Sequence, residues 1–152
     1  MTRAAGMDVL IDDRLLLAVL LRREPGGLAK IRRHGALFTT GLWYHRLCRA
    51  VGGRRVSGQL SGALSAAPPE AATAALASVI ELPAAIGLIS LRDLAWPMGR
   101  MVHDHRLNLM GLEALCAARR ANATICVEER NDSPGLVAAA GEVGITVVQL
   151  AA

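Results

Sequence analysis

Short apolar clusters and longer apolar periodicities alternate along this chain, and that alternation sets the expected fold class. Met7 to Ile11 is brief, largely apolar and closed by Asp12-Asp13, so it reads as a buried strand with carboxylates at its C-terminal end. Leu15 to Leu21 is an unbroken run of helix formers, stopped by Arg22-Arg23-Glu24 and the breaker Pro25-Gly26-Gly27. Leu28 to His34 places Leu28 and Ile31 among charges, a short amphipathic helical piece. Thr39 or Thr40 is positioned to cap a helix from Gly41 to Val51, with Leu42, Tyr44, Leu47, Cys48 and Val51 at helical spacing before Gly52-Gly53. Residues 54–66 carry only a weak helical spacing, at Val56, Leu60 and Leu64.

Pro68-Pro69-Glu70 suits a helix start, and Ala71 to Ile80 has a strong helical pattern. Ile86 to Ile89 is a candidate strand, followed by a Ser90-capped helix from Leu91 to about Arg106. Asn108 is placed to cap a helix running through Ala121, with Asn122 at its stop. Thr124 to Val127 is a β-branched strand ending in Glu128-Glu129, Ser133-Pro134 starts a helix to about Glu142, and Ile145 to Val148 is a last strand. Strands separated by helical crossovers predict a parallel sheet covered on both faces, an α/β domain. No linker, repeat or low-complexity tract divides residues 1–152, so one domain is expected.

Composition narrows this picture. Hydrophobic residues make up 53% of the 152, which excludes a disordered chain. No apolar run approaches the roughly 18 residues of a membrane span, and no signal-peptide pattern opens the chain. Cys48, Cys116 and Cys126 are isolated and odd in number, without zinc-site or disulfide spacing, which points to a reducing cytoplasm. Charge is uneven: residues 1–58 hold eleven Lys and Arg against four acids, +7, whereas residues 59–152 hold six against nine, −3. A basic half suggests a phosphate-bearing partner, although a solvated surface with inflated arginine usage gives the same count.

In a parallel sheet, ligands collect beyond the carboxyl ends of the strands. Two predicted strands end in acid pairs, Asp12-Asp13 and Glu128-Glu129. Converging carboxylates there would suit Mg²⁺ or Mn²⁺. In the competing reading, one acid of each pair is solvated and the other caps the following helix. His103-Asp104-His105 looks like a metal cluster, but adjacent helical residues do not share a face, so a polar surface is expected. The cysteines read as core, and neither a phosphate loop nor a nucleophile elbow is present.

The order and spacing of these segments resemble PIN-domain proteins. The resemblance runs from Val9-Leu10-Ile11-Asp12 through Glu81-Leu82-Pro83 and Ile86 to Ile89. It continues through Leu107 to Leu115 and Ala121 to Glu129, and ends with Leu136 to Ala140 and Gly144 to Val148. It implies a three-layer α/β/α domain around a parallel sheet of four or five strands. It also implies metal-dependent hydrolysis of single-stranded RNA, often as the toxin of a toxin–antitoxin pair. Of the family's four acids, Asp12 matches the first and Glu129 the fourth. The second position offers Tyr44 and His45, the third falls on Gly111, and Arg14 stands where a small polar residue orients the first acid. Asp13, Asp104, Glu113, Glu128 and Asp132 are nearby acids. Glu113 lies two residues from Gly111, about 200° around a helix, and is not expected to substitute for it.

These departures lead to an expectation of nucleic-acid binding without nuclease chemistry. Asp12 and Glu129 are then vestigial catalytic positions, holding Mg²⁺ or Mn²⁺ weakly or not at all. The expected contacts to single-stranded RNA or DNA are Arg14, Arg22, Arg23, Lys30, Arg32, Arg33, Arg46, Arg49, Arg54 and Arg55, with Trp43 and Tyr44 beside them for base stacking, although the helical spacing places one of these two rings in the core. The alternatives are a metal-dependent ribonuclease of toxin type using a rearranged acid set, and a non-enzymatic protein-interaction subunit. A homodimer and an antitoxin-like protein are the expected protein partners, with no membrane partner.

Overall fold

A computed structural model describes residues 6–53, 58–131 and 133–151. Arg54, Arg55, Val56 and Asp132 lie outside the described residues. The elements in chain order are β1 (Val9–Ile11), α1 (Asp13–Leu20), α2 (Gly26–Arg32), β2 (Leu37–Thr40), α3 (Gly41–Gly52), α4 (Gly58–Ala66) and α5 (Pro69–Ile80). They continue with β3 (Ile86–Ile89), α6 (Leu91–Met101), α7 (Leu109–Ala121), β4 (Thr124–Glu128), α8 (Pro134–Glu142) and β5 (Val147–Leu150). The five strands form one parallel sheet in the order β3-β2-β1-β4-β5.

The central strand explains the layering. Val9, Leu10 and Ile11 are fully buried, and successive side chains leave a strand on opposite faces. Val9 and Ile11 join the core formed with α1, α3 and α5, together with Cys126 of β4. Leu10 joins Ile125 and Val127 in the core formed with α6, α7 and α8. The fold is therefore α/β in three layers, helices covering both faces of a parallel sheet. Among the described residues, no helix is long and apolar enough to cross a membrane.

Two departures from the sequence reading have local causes. Residues 37–40 form a strand that the pattern did not single out, because the run is only four residues long and ends in two threonines. Thr40 is the cap of α3, its hydroxyl accepting from the Trp43 N–H at 3.1 Å. Thr39 lies one place earlier and donates to the Ile11 carbonyl at 2.9 Å, fastening β2 to β1. The last strand begins at Val147 and not at Ile145, because the Ile145 N–H still bonds back to the Ala140 carbonyl after α8. Helix α6 stops at Met101, short of the expected Arg106, and its last turn tightens through bonds from His103 and Asp104 to the Arg100 and Met101 carbonyls.

Candidate functional site

All five strands run the same way, so their C-terminal ends meet at one edge. The chain order reverses beside β1: β2 and β3 lie to one side, β4 and β5 to the other. Such a reversal opens a crevice beyond the strand ends. Asp12 leaves β1 there and Glu128 ends β4 there, in a register that pairs Ile11 with Cys126.

Asp12 is fully buried and caps α1. Its Oδ1 accepts from the Leu15 N–H at 2.8 Å, and its Oδ2 accepts from the Glu128 N–H at 3.0 Å and from Asn131 Nδ2 at 2.7 Å. Burial raises its pKa above the usual 3.8, these three donors pull it back, and Asp13 pushes it up again. Just beneath, Cys126 is pushed up to about 11, chiefly by burial and further by the Asp12 charge.

Asp13 is also fully buried, and the Arg46 guanidinium from α3 grips both of its oxygens, with Nη2 at 2.6 Å from Oδ1. Neither acid of this pair is solvated: one caps, and the other is ion-paired. Glu128 is 1% exposed and is held from two sides. Arg14 Nη1 donates to its Oε2 at 2.9 Å and Arg130 Nε to its Oε1 at 2.8 Å. Burial would raise the Glu128 pKa, but the bonds from Arg130 and Arg14 outweigh it and hold it below the usual 4.5.

The strand alternation assigns the inward position to Glu128, which shares the Cys126 side. Glu129 points away and is exposed, its N–H bonded to the Leu150 carbonyl. Asp12 and Glu128 thus meet through the bond from the Glu128 N–H to Asp12 Oδ2, while Glu129 follows at the same strand end with an exposed side chain. Glu113 is the acid that sequence reasoning set aside. It is buried in α7, and its Oε1 accepts from the Leu42 N–H at 3.1 Å, closing the N-terminus of α3. Its Oε2 has no partner among the described residues.

Two sequence signals mark this arrangement. Asp12-Asp13-Arg14 and Glu128-Glu129-Arg130 are the same acid-acid-arginine pattern at two strand ends, and both arginines converge on Glu128. Glu113 stands inside the apolar run Leu112 to Cys116, where a charge is expected only if it is buried with a partner.

The remaining predicted positions separate. Arg32 is committed to Glu24 by a bidentate pair at 2.5 and 2.9 Å. Arg22, Arg23, Lys30, Arg33 and Arg49 are exposed. Trp43 is 4% exposed and belongs to the core, and the Tyr44 hydroxyl donates to the Val79 carbonyl at 2.6 Å. Neither ring is presented for stacking. His105 pairs with Glu142 at 3.1 Å, while His103 and Asp104 are exposed.

The donor set does not fit the divalent metal that the family resemblance implies. A metal needs carboxylate lone pairs, and here guanidinium groups or N–H donors already take those of Asp12, Asp13 and Glu128. Among the described residues, no three His, Cys, Asp or Glu side chains are grouped so as to hold a metal ion. Beside Glu128 lies a cleft of about 210 Å³ with Arg14, Arg23 and Arg130 at its rim and Leu17, Leu21 and Leu60 on its wall. Three guanidiniums against the one carboxylate of Glu128 leave this cleft net positive, a chemistry suited to an anion. In comparisons with known proteins, no family model matches the chain and no curated protein matches it.

Proposed function

We propose that this chain is a PIN-like domain that binds single-stranded nucleic acid and whose nuclease site has been replaced by internal ion pairs. The observation that carries the reading is the guanidinium occupancy of the carboxyl edge. Arg46 answers Asp13, Arg14 and Arg130 answer Glu128, and the cleft beside them is rimmed by Arg14, Arg23 and Arg130. Arginine recognises phosphate through the same fork geometry that holds a carboxylate. A phosphate entering the cleft meets donors where a metal-dependent nuclease would offer acceptors.

The exposed cations add a second line of support. Arg22 occupies a left-handed position at φ 57°, just past α1. The Arg22 N–H bonds to the Val19 carbonyl and the Arg23 N–H to the Ala18 carbonyl. This helix ending normally takes glycine, or asparagine as Asn122 does after α7. Arg33 is left-handed as well, at φ 45°. Two arginines held where glycine costs less backbone strain suggest that their side chains serve a purpose. A cytoplasmic location accompanies this reading, consistent with the three free cysteines.

A gel-shift panel of labelled single- and double-stranded RNA and DNA, with and without Mn²⁺, tests the proposal. Retarded single strands, uncut in either condition, are expected. Cleavage that requires Mn²⁺ and is lost in Asp12→Asn would restore the ribonuclease reading.

A second reading, a protein-interaction subunit, draws on a different observation. Leu91, Ala95 and Gly99 of α6, Val102 at its C-terminal cap and Leu109 of α7 line a nearly wholly apolar groove of about 380 Å³. Exposed apolar grooves mark contact surfaces. Sedimentation over a concentration series tests it, with a homodimer that Val102→Asp dissociates as the supporting result.

A further inference from the structure

The aromatic that the fold does present lies on α6. Trp96 is 78% exposed, although so large and apolar a ring is normally largely buried. Arg92 and Arg100, both exposed, stand four residues before and four residues after it. Residues at that spacing form one row along a helix, each about 6 Å from the next. The opposite side of α6, with Leu94, Met98 and Met101, is buried, so this orientation is fixed by the core. The row begins at the Ser90 cap, directly beyond the carboxyl end of β3, and so at the same edge of the sheet as Asp12 and Glu128. The neighbouring acid, Asp93, lies 3.9 Å from Arg120 of α7.

The charges on this row determine what it can accept. A second copy of the chain packed along it in antiparallel fashion would set Arg92 of one molecule against Arg100 of the other, and a parallel arrangement would set each arginine against itself. Like charges facing one another across an interface are unfavourable. An anionic partner meets both arginines favourably, and an exposed indole between two guanidiniums offers a stacking face. Bases stack on aromatic rings irrespective of sequence, while phosphates pair with flanking cations.

We infer that the Arg92–Trp96–Arg100 row of α6 is a contact surface for a single nucleic-acid strand, with a base stacked on Trp96 and phosphates on the two arginines. This deepens the proposed function and rests on it. The surface is separate from the basic N-terminal segment and extends the strand's path from the carboxyl edge across α6.

The test uses fluorescein-labelled 12-mers of oligo(U) and oligo(dT) with the full chain, read by anisotropy and by tryptophan emission. Trp43 is buried, so quenching on binding reports Trp96. Trp96→Ala is expected to weaken binding about tenfold or more, with the salt slope unchanged, because stacking carries no counterion term. Trp96→Phe should recover part of the loss. Arg92→Ala with Arg100→Ala should flatten the slope by roughly 1.4, two contacts at about 0.7 each. Oligonucleotides bound by all three variants at the unmutated affinity, without quenching, would overturn this surface while leaving the proposed function standing. No binding by the unmutated protein at low salt would overturn both. Trp96-dependent binding of poly-glutamate in place of either oligonucleotide would overturn the surface in favour of an acidic protein partner.

Discussion

The arginines at the carboxyl edge and the arginines on the outer surface are the same residue put to opposite uses. Arg14 and Arg46 reach inward to carboxylates that are about 1% exposed, and each is itself largely covered, 22% and 34% exposed. Arg22, Arg23, Arg33, Arg92 and Arg100 are exposed, and two of them hold the backbone in a left-handed turn. The first set completes the fold, whereas the second leaves the domain with cations to spare. A count of arginines along a sequence does not separate these roles, because the separation depends on which carboxylates are buried and which way they face.

Removing an inward arginine carries the largest expected effect. Arg46→Ala leaves Asp13 buried without a partner and should cost about 3 kcal/mol, the scale for breaking a buried pair from one side. Asp13→Asn should cost about 1 kcal/mol, since the released guanidinium can turn to solvent. Urea unfolding of both variants checks the asymmetry. Equal and small losses would mean that the pair is a surface contact.

The acid limb of stability offers the next largest effect. The Glu128 pKa is lowered in the folded chain, so its contribution is fully present above the ordinary 4.5 and is lost as pH falls through the lower folded value. The raised Asp12 pKa acts with opposite sign, costing stability as pH rises from 3.8 toward its folded value. Glu128→Gln should therefore be less stable than the unmutated chain by about 2 kcal/mol at neutral pH. The gap should close as pH falls from the ordinary 4.5 through the lower folded value, as Glu128 itself becomes protonated. A gap independent of pH would show that Glu128 acts through packing alone.

Much of this was legible before the structure and some was not, for identifiable reasons. Four of the five strands follow from apolar clusters bounded by breakers. Residues 37–40 escaped because a four-residue run that ends in capping threonines resembles a helix start. Asp12 could be placed at a strand end from sequence, since it directly follows three apolar residues. The choice between Glu128 and Glu129 needed the register of β4 against β1, because a shift of one residue exchanges the two faces. The side chains of Trp43 and Trp96 were assigned opposite surroundings by their helices: α3 turns Trp43 into the core, while α6 buries Leu94 and Met98 and leaves Trp96 outside. Arg32, read as one of a free basic run, reaches back along α2 to pair with Glu24 in the turn before it.

The outward arginines give a smaller stability effect but a clear binding signature. Arg22→Gly should relieve the left-handed strain and raise stability by about 0.5–1 kcal/mol. The same change should weaken oligonucleotide binding and flatten its salt dependence by about 0.7. With Arg22, Arg23, Arg33, Arg49, Arg92 and Arg100 as contacts, the log–log salt slope of the unmutated chain should be roughly −4. Arg32→Ala should leave that slope unchanged, since Glu24 already neutralises it. A variant that gains stability and keeps full binding would remove the argument that Arg22 is held in place for its side chain.

Guanidinium groups occupy the carboxyl edge where a metal would need free carboxylates, and calorimetric titration of the unmutated protein with Mn²⁺ puts that occupancy to the test. Asp12, Asp13 and Glu128 already accept internal donors, so no saturable heat is expected up to millimolar Mn²⁺, and removing Arg14, Arg46 and Arg130 together should be required before any site appears. A micromolar Mn²⁺ site in the unmutated chain, abolished by Asp12→Asn, would contradict the account.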